Sequence, residues 1–360
     1  MDSPYAKELV TAIEAARLAA QISLSVLSQS FSSASLSSSS NSLIKDDLSP
    51  VTIADFAIQA LLTTYLSETF PSHGFIGEES ADDLRENPHL LQRVLDALIL
   101  CCPGTEWTPE LICGKIDECT KLKSASEGEF VWVFDPIDGT KTFIQGKQFA
   151  INIALLQKAK QVVSVVALPL WDFGLEPEEG IKDDKVDERK LGTLLYGVRG
   201  YGAFVEPLVN EDGVEAKKLP MISDGKNNRL REVTCTNLDS GVSDLHSLVA
   251  ERLGIVGEGD TEADLLGWVP RWASLAMGFG NVTVWIYKSR ERKGKIWDHA
   301  GVMMLFEEVG GKISDVDGKE IDLGIGRKFE GNYGFVGAPR ERHGEVVEVV
   351  KGVLREAGLS

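Results

Sequence analysis

A continuous apolar run, Phe130-Val131-Trp132-Val133-Phe134, ends directly on Asp135-Pro136-Ile137-Asp138-Gly139-Thr140. No polar residue interrupts the run, so it predicts a strand covered on both faces. A sheet with both faces covered needs helices or a second sheet on each side of it. Pro136 fixes the backbone between the two aspartates, and Gly139 permits a tight turn. Two carboxylates three residues apart at a strand end can converge on one point. A helix starting at Asp138 or Gly139 would aim the N–H groups of Gly139 and Thr140 out of its N-terminus, where phosphate oxygens bind. Hard oxygen ligands beside an anion site suit Mg²⁺ and not a soft metal. The same step also describes an ordinary Asp-Gly turn, and taken alone it does not separate the two readings.

Two carboxylates hold a hard dication weakly, so further ligands must come from elsewhere. Glu78-Glu79 closes the predicted strand Gly74-Phe75-Ile76-Gly77, and Asp298 lies in Ile296-Trp297-Asp298-His299-Ala300 at a predicted helix start. Singly, Glu78-Glu79 reads as a solvated loop, Asp298 as an N-cap and His299 as structural. Together these acids at element ends are what a multi-metal site needs, since their repulsion is relieved by a cation.

The rest of the chain alternates between helical and strand patterns. Helical spacing of Ala, Leu, Val and Ile predicts a helix over 5–27. The serine-rich stretch 28–42 predicts a mobile loop, because it offers little apolar surface to bury. Thr52 is the expected N-cap of a second helix whose buried stripe is Ile53, Phe56, Ala57, Ala60, Leu61 and Tyr65. Residues 81–128 read as helices with loops, and strands are expected near 149–156, 162–168 and 194–205. The acidic stretch 176–190 reads as a solvated loop. Further on, strands near 232–236, 282–287, 311–315 and 333–337 alternate with helices near 242–254, 271–279, 297–309 and 340–356. This order predicts an α/β fold of layered sheets and helices. At 360 residues it divides into an N-terminal α+β half, 1–205, with most of the acids, and a C-terminal α/β half, 206–360, with Asp298.

A formal net charge of −18 argues against nucleic acid polymers as partners, because the overall field repels them. A small phosphorylated substrate stays compatible if metal or a local basic cluster reverses the potential at the site. The five cysteines include an adjacent pair but no CxxC spacing, so reduced thiols are expected. No apolar run reaches the length of about 18 residues that a membrane helix needs, and the N-terminus lacks the pattern of a secretory signal. A cytoplasmic protein that does not insert into membranes is the expectation. The oligomeric state has no signature in the sequence.

Glu78-Glu79 after a strand, then Asp135-Pro136-Ile137-Asp138-Gly139-Thr140, then Trp297-Asp298-His299-Ala300, resemble in type and order the motifs of the inositol monophosphatase superfamily. Within it the chain looks most like the 3′(2′),5′-bisphosphate nucleotidases. That similarity includes Ser49-Pro50-Val51-Thr52 with Asp55, Gly146-Lys147-Gln148-Phe149-Ala150, and Lys295-Ile296 before the third motif. The resemblance implies a layered α/β/α/β/α sandwich with two sheets. It also implies lithium-sensitive removal of the 3′-phosphate of adenosine 3′,5′-bisphosphate, with two or three Mg²⁺ ions as cofactor. Glu78, Asp135 and the carbonyl of Ile137 would hold one ion, and Asp135, Asp138 and Asp298 a second. Asp55 and Thr140 would orient and deprotonate the attacking water.

The substrate side departs from that pattern. Where the nucleotidases usually carry Asp-Ser-Gln-Ala-Lys-Tyr, this chain has Gly267-Trp268-Val269-Pro270-Arg271-Trp272. Trp285 stands at a family Arg, Val242 near a family His, and Ser124-Ala125-Ser126-Glu127-Gly128 at a Gly-Gly-Arg segment. The expected substrate contacts are therefore Gly139, Thr140, Arg271, Trp268, Trp285 and Lys295, the last in a basic cluster with Arg290, Arg292 and Lys293. The tryptophans either line the site or are core. Two alternatives accompany the nucleotidase reading: the same metal chemistry on an inositol phosphate or a less polar ester, and a catalytically idle homologue with a binding or regulatory role.

Overall fold

The protein is described by a computed structural model covering residues 3–36, 50–222, 229–235, 241–255 and 261–359. Helices α1 (Ala6–Leu36) and α2 (Pro50–Thr69) lead to β1 (Gly74–Gly77), then α3 (Asp82–Glu86), α4 (Pro88–Cys101) and α5 (Pro109–Glu118). Next come β2 (Phe130–Asp138), α6 (Thr140–Ile144), β3 (Ala150–Gln157), β4 (Lys160–Leu168), β5 (Ile181–Lys182), β6 (Thr193–Val198), β7 (Gly202–Pro207) and β8 (Lys217–Lys218). The remaining elements are β9 (Glu232–Thr234), α7 (Ser243–Arg252), β10 (Thr261–Asp264), α8 (Trp268–Ala276), β11 (Thr283–Trp285), α9 (Ala300–Glu308), β12 (Gly311–Ser314), β13 (Phe335–Pro339) and α10 (His343–Glu356).

The expected layered α/β architecture is what the chain adopts. A seven-stranded sheet runs β1-β2-β3-β4-β6-β7-β8. Only its β1–β2 pair is parallel. The apolar run on β2 is buried on both faces, as predicted. Val131 and Val133 join the core shared with α8 and α9, while Trp132 and Phe134 join the core beneath α1 and α2. The second sheet is two three-stranded ribbons, β5-β10-β9 and β11-β13-β12. They meet at a bridge between Glu232 and Val282, tightened by a 2.8 Å bond from the Thr283 hydroxyl to the Val233 carbonyl. Helices α8 and α9 lie between the sheets, and α10 covers the far side with α7.

Several local expectations change. Helix α1 continues to Leu36, so residues 28–36 are helical and not loop; 37–42 lie outside the described residues. Serine hydroxyls can bond back to the preceding turn, as Ser28 does to the Leu24 carbonyl and Ser30 to that of Val26 (2.8 Å each). Over Ala6–Phe31 this helix has mean hydropathy 1.3, long and apolar enough to cross a membrane by length and composition alone. In the fold, Ala12, Ala16, Ala19 and Ile22 are fully buried, in a helix packed on α2 and on β3 and β4. Thr52 is not the N-cap of α2, because that helix already starts at Pro50, whose missing N–H suits a first turn. Its buried surface is no stripe either: every residue from 53 to 64 is buried. The 194–205 segment is a hairpin of two strands, and Gly200 and Gly202 supply the left-handed turn between them. The acidic stretch 176–190 is anchored by β5 and by Asp187, which is 3% exposed. Strand β7 runs across position 205, and β8 extends the same sheet.

Candidate active site

The acids gather where β1 and β2 end. In an unbroken strand, residues three apart point to opposite faces. Between Asp135 and Asp138 the pairing of β2 with β3 shifts register, with Asp135 opposite Asn152 and Asp138 opposite Ala150. One extra residue on β2 thus forms a bulge at Pro136-Ile137, which returns Asp138 to the side of Asp135. Gly139 follows with φ +93°, and a side chain there would meet the Thr142 hydroxyl at 2.8 Å. The turn leads into α6 at Thr140.

Glu78, Asp135 and Asp298 each offer an oxygen, and these oxygens lie within 4.8 Å of one another. Asp135 is 2% exposed, and its Oδ1 accepts a 3.1 Å bond from the Ile137 amide. Glu78 is held by an ion pair with Lys295. Asp138 sits at the edge of this trio. Its Oδ2 accepts a 2.6 Å bond from the amide of Val269, in the first turn of α8. Gly267 is required for that approach, since a Cβ there would lie 2.7 Å from the same oxygen. Burial first, and then the neighbouring carboxylates, push Asp135 and Asp298 well above the usual range. Burial also raises Asp138 to about 6, against the opposing amide bond from Val269. Clustered acids that resist ionising could hold a hard cation, and their all-oxygen donor set is of the kind that Mg²⁺ takes.

Asp55 projects from α2, 8% exposed, and is raised well above its ordinary value by burial, then by Glu79 and Glu78. Among the described residues no hydrogen bond joins it to Thr140. The exposed Thr140 hydroxyl instead donates to the Ile137 carbonyl at 3.5 Å. One turn after Asp55, Gln59 grips the peptide of Glu79, donating to its carbonyl at 2.8 Å and accepting from its amide at 2.9 Å. Gln59 is absent from the sequence reading. Its signal was a second polar residue one turn after Asp55 within the otherwise apolar stretch 53–62. Glu79, raised to about 7 chiefly by burial and then by Glu78, also belongs to this corner.

The opposite wall is built by α8 and β11. Arg271 is 1% exposed and its guanidinium lies 3.6 Å from the Trp268 ring centroid and 5.0 Å from that of Trp285. It donates to the carbonyls of Gly267 and Leu266 at 3.2 Å, and its Nη1 has no partner. Trp285 is 2% exposed and Trp272 fully buried, so both are core; Trp268 is half-buried and stands edge-on to Trp285. His246 packs on Trp285 near the expected Val242 position. Lys295 joins the acidic trio, whereas Arg290 pairs with Asp317 on the surface, apart from it. His299 is structural as expected, with its Nδ1 accepting from the Trp272 indole at 3.0 Å.

Carboxylates converging at the ends of β1 and β2 in a layered α/β fold are what a metal-assisted phosphoric monoester hydrolase would use. The sequence model of the inositol monophosphatase family matches residues 6–354. The chain belongs to that family. It is 34% identical to the 3′(2′),5′-bisphosphate nucleotidase of Schizosaccharomyces pombe, over 88% of each chain. Identity to the 3′(2′),5′-bisphosphate nucleotidase 1 of Candida albicans SC5314 is 30%, over 98% of this chain and 97% of that one. Among solved structures it superposes on CysQ of Bacteroides thetaiotaomicron with a TM-score of 0.58 at 18% identity, covering 94% of this chain and 98% of that one. An inositol monophosphatase of Zymomonas mobilis also gives 0.58, at 16% identity over 97% and 99%.

Proposed function

We propose that the protein is a Mg²⁺-dependent phosphomonoesterase of cytoplasmic small molecules that hydrolyses 3′(2′),5′-bisphosphate nucleotides, converting adenosine 3′,5′-bisphosphate to AMP and phosphate. The observation that carries this reading is the convergence of Glu78, Asp135 and Asp298 in a chain whose relatives bear that activity in their names.

In this reading Glu78, Asp135 and the Ile137 carbonyl would hold one ion, and Asp135, Asp138 and Asp298 would hold another. Bound there, the cations supply a water of lowered pKa and stabilise charge on the phosphoryl oxygens. Asp55, as its carboxylate, takes a proton from the attacking water, with the Thr140 hydroxyl as relay. The relay requires Thr140 to exchange its long bond to Ile137 for one to Asp55. The amides of Gly139 and Thr140 orient the phosphate. Arg271 attracts the remaining negative charge of the ester, Lys295 neutralises part of the acidic cluster, and the exposed part of Trp268 packs on the leaving group.

A second reading, the same chemistry on a less highly charged ester, is favoured by one observation: Arg271, the cation between the indoles of the substrate wall, is sealed beneath Trp268. Phosphate release with Mg²⁺ from adenosine 3′,5′-bisphosphate, inositol 1-phosphate and a prenyl phosphate separates the readings. The first predicts the nucleotide as the best substrate. Preference for either other ester supports the second. Silence on all three, with metal still bound, leaves only a non-catalytic binding role.

A further inference from the structure

Glu78 and Asp298 are brought together from distant parts of the chain, and one side chain touches the supports of both. Arg327 lies in the connection between β12 and β13. Its Nη2 donates to the carbonyl of Gly77, the last residue of β1 and the one before Glu78. Its Nη1 donates to the Cys119 carbonyl at 2.7 Å, just past α5, with a longer 3.5 Å contact to that of Leu122. On the other side, the Arg327 carbonyl accepts a 3.1 Å bond from Ile296, and its guanidinium stacks 5.1 Å from the ring centroid of Trp297, the residue before Asp298.

The charge on Arg327 has no acidic partner among the described residues' ion pairs. It faces carbonyls and an indole, and burial lowers its pKa. A half-buried guanidinium without a carboxylate gains its stability from the number and geometry of its donors. Those donors fix the end of β1 against α5. Gln59 holds Glu79 from the other flank, so the peptide units on both sides of Glu78 are tied.

We propose that Arg327 is a positioning residue that sets the separation of Glu78 and Asp298 and so tunes the affinity of the metal centre. The proposal rests on the metal-site reading above. Arg327 touches neither substrate nor reacting atoms in this account. Lysine cannot substitute, because a point donor cannot reach two separate carbonyls and stack on an indole at once.

The test is Mn²⁺ binding to metal-stripped protein, followed by electron paramagnetic resonance, for wild type, Arg327→Lys, Arg327→Gln and, as reference, Glu78→Gln. Both Arg327 variants are expected to bind Mn²⁺ about 10- to 100-fold more weakly. At saturating metal, KM for the substrate should stay within about twofold of wild type. A purely structural role would lower Tm and leave the Mn²⁺ affinity of the folded protein unchanged. Affinity within about twofold of wild type, while Glu78→Gln abolishes binding, would overturn the inference and spare the metal site. Absence of Mn²⁺ binding in wild type would overturn both. Should neither Arg327 variant fold, hydrogen exchange on wild type decides: Mn²⁺ must slow exchange in Gly77–Glu79 and in residues 326–328 together. Protection of the first segment without the second would contradict the coupling.

Discussion

The two walls of the site are mirror images in charge. On the β1–β2 wall, the buried Asp135 and the half-buried Glu78 and Asp298 face one another with Lys295 as the paired cation. On the α8–β11 wall, a guanidinium lies between indoles, in no ion pair among the described residues. Each wall carries a charge that the protein alone leaves poorly balanced, and burial makes such imbalance costly. In the proposed reading a dication answers the first, and an anionic ester the second. The difference teaches that the walls constrain function unequally. The acidic wall uses the residues that its family motifs lead one to expect. The cationic wall carries tryptophan where the family resemblance leads one to expect polar groups, and in the proposed reading substrate choice is decided there.

Removing Asp135 strikes the contrast hardest. Asp135→Asn should lower kcat by about 1,000-fold or more, because the carboxylate proposed to serve both ions is lost. The same variant should melt at a higher temperature than wild type in chelator, since one buried repelling charge is gone. A loss of less than about tenfold would mean that the acidic wall is not the catalytic one. Asp55→Asn should cost about 100- to 10,000-fold in kcat with Mn²⁺ affinity intact, which separates water activation from metal binding on one wall.

On the other wall the effect should be smaller and of another kind. Arg271→Met is expected to raise KM by about 10- to 100-fold with kcat little changed, because the cation proposed to attract the ester's charge is lost. A fall in kcat alone would show that the walls do not divide labour between chemistry and binding.

The smallest effect concerns pH. Burial first of all pushes Asp138 up to about 6 and Glu79 up to about 7, above the ordinary carboxylate range. Without metal the folded protein therefore binds more protons than the unfolded chain above pH 4, and raising pH through about 4 to 7 costs these groups' share of stability. Metal binding expels those protons. The rise in Tm produced by Mg²⁺ should accordingly be small at pH 5 and larger at pH 8, as differential scanning fluorimetry would record. A rise that shrinks with pH would contradict the electrostatic contrast between the walls.

Much of the acidic wall was legible in the sequence because local signals overlap there. The apolar run of β2 identified its strand, and Asp135, Asp138 and Asp298 all stand at element ends that periodicity could find. Less legible were features that depend on distant packing. The bulge at Pro136-Ile137 needs β3 as its reference, and the amide that Val269 gives to Asp138 needs α8 docked on the end of β2. Arg327 had no local signal, because its partners Gly77 and Cys119 are main-chain carbonyls far away in sequence. For the serine-rich stretch, composition misled over 28–36: serine is a poor helix former, yet continuity with a buried apolar helix outweighed it. The tryptophans were ambiguous for a related reason. Trp272 and Trp285 are core, while Trp268 is core on one edge and surface on the other.

The central claim is that Glu78, Asp135 and Asp298 form a metal centre. Anomalous diffraction from crystals soaked in Mn²⁺ tests it most directly. The account predicts a strong peak among these three carboxylates, within bonding distance of each, and Lys295 withdrawn from Glu78. Mn²⁺ bound elsewhere, with the three acids and Lys295 unchanged, would contradict it.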